Sequence, residues 1–147
     1  MPEDSGAVMA FDFGERRIGV AIGETLLGNA RPLTTIAAAS GDERFAAIGR
    51  LIEEWRPQRL VVGLPRHADG GERPHAVADR CRRFARQLGG RFRLPVLLCD
   101  ERFSTCAAAV AIADDKTLRK AGVDAAAAAV ILQAWFDQQQ HATAASH

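Results

Sequence analysis

Apolar positions recur along this chain with two periods, and the switches between the periods mark its elements. Val8 to Phe13 is a strand-like run, Gly14-Glu15-Arg16-Arg17 turns the chain, and Ile18-Gly19-Val20-Ala21-Ile22 is strand-like again. This pattern predicts a hairpin. In the register that pairs Phe13 with Ile18, Asp12 falls opposite Gly19; a slip of one residue would send every side chain to the other face. A glycine there would leave the face of the carboxylate open to an ion or a substrate backbone. Leu33-Thr34-Thr35-Ile36 predicts a third, short strand entered after Pro32.

Helical spacing follows. Ser40-Gly41-Asp42-Glu43 resembles a capping box, and Phe45, Ile48, Leu51, Ile52 and Trp55 form one apolar stripe that Pro57 stops. Arg59 to Leu64 predicts a strand apolar enough to be buried on both faces, and Pro65 to Arg73 a polar, glycine-rich loop. A second amphipathic helix is expected from about Pro74 to Leu88, with Val77, Cys81, Phe84, Ala85 and Leu88 inward and Gly89-Gly90 ending it. Leu94 to Cys99 is the next strand, closed by Asp100-Glu101-Arg102. Ser104 caps an alanine-rich helix to about Ala113, and Asp114 to Gly122 is a charged connection. The last helix is expected from about Asp124 to Gln138, burying Ala127, Ala128, Ile131, Leu132, Trp135 and Phe136 ahead of a polar tail, 139–147.

The order is βββαβαβαα: antiparallel strands first, parallel crossovers after. That predicts an α/β fold with a mixed five-stranded sheet and helices on both faces. Sites in such sheets lie beyond the carboxyl ends of the parallel strands, where the glycine-rich loop and Asp100-Glu101 both fall. With 147 residues, no internal repeat and no linker, one domain is expected over 1–147, its core at about 7–138.

Composition narrows the function classes. The net charge of +1 gives no global basic field, so any nucleic-acid affinity must come from a local patch. Cys81, Cys99 and Cys106 show no metal or disulfide spacing and read as buried small hydrophobes in a reducing compartment. His67, His75, His141 and His147 are too scattered for zinc. No leader-like segment and no run of about 18 apolar residues appears, so a cytoplasmic protein with no membrane partner is expected.

Three acidic sites interrupt or end apolar runs: Asp12, the pair Asp100-Glu101, and Asp124. A buried carboxylate costs several kcal/mol, roughly, unless it is paired, hydrogen-bonded or bound to a metal. Converging carboxylates without histidine favour a hard divalent cation, Mg²⁺ or Mn²⁺, and such ions serve phosphodiester hydrolysis. Each acid also has a plainer reading: Asp124 as a helix N-cap, Asp100 and Glu101 as a strand-end turn pairing with Arg102. Alternation sends Asp100 and Glu101 to opposite faces, so only one can meet Asp12, and spacing alone does not choose. Arg16, Arg17, Arg66, Arg102, Arg119 and Lys120 fall in flanking loops. Together they make a rim suited to a nucleic-acid backbone, although single loop charges are ordinarily just solvated.

Taken in order, Asp12-Phe13-Gly14 through Arg17-Ile18-Gly19-Val20-Ala21, Val62-Gly63-Leu64-Pro65 with Asp69-Gly70, Asp100-Glu101-Arg102-Phe103-Ser104-Thr105, and Val123-Asp124-Ala125-Ala126-Ala127-Ala128 resemble the motifs of the YqgF/RuvX family. Its members are described as Holliday junction resolvase-like proteins and as pre-16S rRNA nucleases. The resemblance spans about residues 7–138. It implies a ribonuclease H-like fold, a metal-dependent nuclease maturing the 5′ end of 16S rRNA, and Asp12, Glu101 and Asp124 as catalytic, metal-holding acids. It thereby prefers Glu101 to Asp100. Arg16, Arg17, Arg66, Asp69, Gly70, Arg102, Arg119 and Lys120 become the expected substrate contacts. Structured RNA is the expected partner, with a DNA junction as the alternative and a monomer or weak homodimer as the state. Two further readings compete: a non-catalytic nucleic-acid-binding module, and a fragment of the actin/sugar-kinase fold. The chain has room for only one of the two domains the latter needs.

Overall fold

The computed structural model describes residues 6–14, 16–37, 40–64, 74–100 and 122–145. Strands β1 (Ala7–Phe13), β2 (Arg17–Glu24), β3 (Asn29–Ala37), β4 (Arg59–Leu64) and β5 (Val96–Asp100) form one sheet in the order β3-β2-β1-β4-β5. The described helices are α1 (Gly41–Trp55), α2 (Pro74–Phe92) and α3 (Val123–Ala145). β1–β2 and β2–β3 pair antiparallel; β1–β4 and β4–β5 pair parallel. This is the expected mixed sheet, and the hairpin register is the expected one, Phe13 with Ile18 and Asp12 with Gly19. The glycine-rich loop after Leu64, the helix predicted over Ser104–Ala113 and the charged stretch up to residue 121 lie outside the described residues.

Strand alternation divides the sheet's side chains between two cores. Met9, Phe11, Ile18, Val20, Leu60 and Val62 pack with Phe45 and Ile48 of α1 and Cys81, Phe84 and Leu88 of α2. Phe84 is the hub there, stacked on Phe13 at 4.7 Å and edge-on to Phe11 at 5.8 Å. Val8, Ala10, Ala21, Val61 and Cys99 pack on the other face against Ala128, Ile131, Leu132, Trp135 and Phe136 of α3. β1 is thus buried from both sides, and each fully buried large side chain contributes about 1.5–3 kcal/mol. Gln133 pins α3 to the β2–β3 turn: its Nε2 donates to Gly28 O at 2.8 Å and its Oε1 accepts from Ala30 N–H at 3.0 Å.

The N-cap half of the expected capping box is formed, with Ser40 Oγ accepting the Glu43 N–H at 3.2 Å. Arg56, left-handed at φ 48°, ends α1 immediately before Pro57. Of the predicted stripe, Phe45 and Ile48 are buried, whereas Leu51, Ile52 and Trp55 are half-buried.

Several boundaries differ from expectation. α2 does not end at Gly89-Gly90 but runs through both to Phe92, where Arg93 at φ 55° stops it and donates its N–H to Gly89 O. Neither glycine adopts a positive φ, so neither acts as a C-cap. β3 extends across Pro32, which is accommodated because β3 is an edge strand and the register shifts between Val20 and Ala21. β5 starts at Val96 rather than Leu94; Pro95 has no N–H for a ladder, and its carbonyl accepts from Leu60. α3 continues through the expected polar tail to Ala145, over glutamine- and alanine-rich sequence with good helix propensity. Ala127 is half-buried, while Ala125, Ala126, Ala128 and Ala129 are buried.

Candidate active site

Val8, Ala10 and Asp12 follow one another along the face of β1 that α3 covers. The row through Asp12 crosses the sheet. Asp12 pairs with Gly19, and Gly19 with Thr35. On the other side Gly63 stands level with Asp12, one residue past the Phe11–Val62 pair, and Gly63 pairs with Cys99. The carboxylate therefore has a glycine, with no side chain, on each flank.

α3 begins over this row. A Cβ built on Gly19 would collide with the backbone carbonyl of Asp124 and come within 2.8 Å of Ala125 N. The glycine does not leave an open space for a ligand, as expected from sequence; the chain's own last helix fills it. Only a residue without a Cβ allows helix backbone to approach a strand this closely. Gly122, at φ +94°, makes the bend into the helix, and its carbonyl accepts the Ala126 N–H at 3.1 Å. A Cβ on Gly122 would lie 3.0 Å from Thr35 Oγ1, so the bend rests on the end of the same row.

Gly122 thus holds the N-cap position and Asp124 stands second inside the helix, which removes the plain reading of Asp124 as the cap. A carboxylate in the first turn is favoured by the helix dipole. Its placement beside Asp12 has an electrostatic signature. The Asp12 carboxyl is pushed up from 3.8 to about 6, first by burial and then by the negative charge of Asp124. A buried carboxylate with a second, half-buried one beside it offers hard oxygen donors that fit a divalent cation, which would relieve both effects on Asp12. Among the described residues no set of three His, Cys, Asp or Glu is arranged around an ion; Asp12 and Asp124 come together as a pair.

Of the remaining predicted site residues, Arg16 and Arg17 are exposed at the carboxyl end of β1. Arg17 alternates in phase with Gly19 and Ala21, so it starts on the Asp12 side of the sheet. Asp100 is the last residue of β5 and pairs with Leu64. Glu101, Arg66, Asp69, Gly70, Arg102, Arg119 and Lys120 lie outside the described residues. Sequence reasoning missed Gly122, Gly63 and Thr35 as builders of the site. Gly122, two residues before an acid that opens an apolar run, was a readable signal. Thr35 joins only through the register of two strand pairs.

A mixed sheet in this order, with an acid near the carboxyl end of its central first strand and another on the last helix, defines a ribonuclease H-like fold. Solved structures agree on the fold. Thermus thermophilus RuvC in complex with a Holliday junction substrate superposes with a TM-score of 0.63 at 15% identity, covering 92% of this chain and 96% of that one. The yeast mitochondrial Holliday junction resolvase Ydc2 gives 0.54 at 13% identity, over 91% and 80%. Residues 6–138 match the family model described as "RuvX: Holliday junction resolvase", and the chain belongs to that family. A Chromobacterium violaceum protein is 54% identical, covering 88% of this chain and 96% of its own length, and a Methylobacillus flagellatus protein is 52% identical, over 93% and 97%. Both carry the name "Putative pre-16S rRNA nuclease". The chain is accordingly a nuclease, a hydrolase of phosphodiester bonds.

Proposed function

We propose that this protein is a Mg²⁺- or Mn²⁺-dependent endonuclease that processes the 5′ end of pre-16S rRNA in the cytoplasm, with Asp12, Glu101 and Asp124 as its catalytic acids and metal ligands. The observation that carries the reading is the meeting of Asp12 and Asp124 over Gly19. The helix dipole accounts for Asp124 but not for a buried Asp12 carboxylate placed beside it, whereas a cation site would use both. A bound divalent ion would supply an activated water and neutralise charge on the leaving oxygen. Asp12 and Asp124 would hold it from β1 and from the first turn of α3, and the glycine on each flank of Asp12 keeps side chains from crowding the carboxylate. The resemblance of the Asp100-Glu101-Arg102 motif to the family's supports Glu101 as the third acid. Arg16 and Arg17 would hold substrate phosphates beside β1. In this reading Arg66, Asp69, Gly70, Arg102, Arg119 and Lys120 complete the substrate rim. The names of the relatives support RNA as substrate. We take the protein to act as a monomer or weak homodimer. Among the described residues no helix is long and apolar enough to cross a membrane, consistent with a cytoplasmic enzyme.

The family description and the RuvC-like fold favour a second reading, cleavage of a four-way DNA junction. Both substrates should be offered side by side with Mn²⁺ to wild type, Asp12→Asn, Glu101→Gln and Asp124→Asn. Cleavage of the precursor RNA should fall by roughly a hundredfold or more in each variant, since a catalytic metal contributes several kcal/mol. Cleavage of the junction with the precursor untouched would move the assignment to DNA. Full activity in Asp12→Asn would remove the site altogether.

A further inference from the structure

Charge is unevenly spread over this chain. α2 carries five arginines, Arg80, Arg82, Arg83, Arg86 and Arg91, against the single acid Asp79. With a whole-chain charge of +1, everything outside α2 is net negative. Arg82, Arg83 and Arg86 are exposed and share one side of the helix, and Arg93 lies exposed just past its end. No carboxylate among the described residues pairs with Arg83 or Arg86. Arg82 meets Asp79 at 3.6 Å, but both are well exposed and such a pair holds little energy. A solvated helix face would ordinarily mix the two signs, as α1 does with Asp42, Glu43, Arg44, Arg50, Glu53 and Glu54.

A groove of about 390 Å³ runs between this face and β5. Arg82 and Arg86 stand on its wall, and Ala85, Gly89, Val96 and Leu98 make an apolar floor. Leu98 is 43% exposed, unusual for a leucine in a strand with a helix beside it. β5 is an edge of the described sheet, and its carboxyl end is level with Asp12, because Cys99 pairs with Gly63. Val96 and Leu98 alternate with Cys99, so the groove lies at the β5 edge on the face of the sheet opposite Asp12.

We propose that the α2–β5 groove binds a single strand of nucleic acid outside the active site, with Arg82 and Arg86 of its wall and the adjacent Arg83 on phosphates, and Val96 and Leu98 of its floor against sugar or base. Charge complementarity selects a polyanion, and a cationic wall over an apolar floor selects a strand whose bases are free to turn inward. The reading rests on the nuclease assignment only for the origin of that strand, as the part of the substrate that extends beyond the cleavage point.

The test is fluorescence anisotropy of a labelled oligouridine RNA in chelator, where no cleavage occurs, over a series of salt concentrations. Against wild type, Arg82→Gln/Arg83→Gln/Arg86→Gln should bind roughly tenfold more weakly at moderate salt, and the slope of log affinity against log salt should flatten by about 2. The corresponding triple lysine variant should keep most of the slope, while Arg50→Gln on α1 should change neither quantity. Thermal midpoints of all variants should agree, since exposed substitutions shift stability by about 0.5 kcal/mol at most. Equal affinity and slope in wild type and the glutamine variant would overturn the proposal and leave the catalytic reading intact. Loss of duplex binding alone would overturn the single-strand assignment. Wild type that binds through the groove but cleaves nothing with Mn²⁺ would support the groove and sink the catalytic reading.

Discussion

Asp12 is a side chain whose burial is unfavourable for the fold, and in the proposed function it is a catalytic acid. Its carboxyl, raised to about 6 by burial and by Asp124, binds a proton more tightly in the folded chain than in the unfolded one. The sign follows from that preference. The ionised form destabilises the fold at neutral pH, and stability from this group is regained as pH falls through about 6 towards 3.8. Asp12→Asn should therefore stabilise the metal-free protein by roughly 1–3 kcal/mol near neutral pH, read as a shift of the denaturant midpoint. It should also abolish this component of the acid dependence. An unchanged or lowered midpoint would mean that Asp12 is not the strained group described here. Protons and metal compete for the same oxygens, so the rise in thermal midpoint on adding Mn²⁺ should fade as pH falls below about 6. The peculiarity of Asp12 was legible in the sequence, as a carboxylate inside an apolar run. The choice between Asp100 and Glu101 was not legible from spacing, because alternation separates two neighbours only by face; it came from the family resemblance alone.

At the scale of elements, close approach decides more than propensity does. Gly19 is where α3 rests on β2, and Gly19→Ala would push a methyl group into the Asp124 carbonyl. We expect roughly 1–3 kcal/mol of destabilisation from overpacking, together with loss of cleavage as the two acids separate. Denaturant unfolding and a cleavage assay check both, and a stable, active variant would contradict the packing. Gly90 is the opposite case. It sits inside α2 with helical backbone and nothing within 4 Å of a built Cβ. Gly90→Ala should raise stability by roughly 0.5–1 kcal/mol, seen as a higher thermal midpoint. The pair Gly89-Gly90 looked like a helix stop in sequence, yet the next turn is carried to Phe92, whose ring lies 3.3 Å from the Cβ position of Gly49 on α1. A tertiary contact overrides a local signal there. Ser40, Arg59–Leu64 and the hairpin register were readable because capping and alternation are local rules.

The described residues form a mixed sheet filled from both sides, with Asp12 and Asp124 together near one end of it. Sequence patterning was enough to give the strand count, the antiparallel start and the parallel crossovers, since period and connection length constrain topology strongly. It could not show that Asp124, more than a hundred residues from Asp12, returns to it over a glycine. That depends on the crossing of α3, fixed by Gly122, by Gln133 clamping the β2–β3 turn and by the alanine-lined core beneath. The same architecture separates two charge regions, the Asp12–Asp124 pair near the carboxyl end of β1 and an arginine face on α2. The most direct test of the central claim is a calorimetric titration of Mn²⁺ into wild type and Asp12→Asn at mildly alkaline pH. Wild type should bind saturably and Asp12→Asn should lose roughly tenfold or more in affinity. Identical isotherms for the two proteins would contradict the metal site.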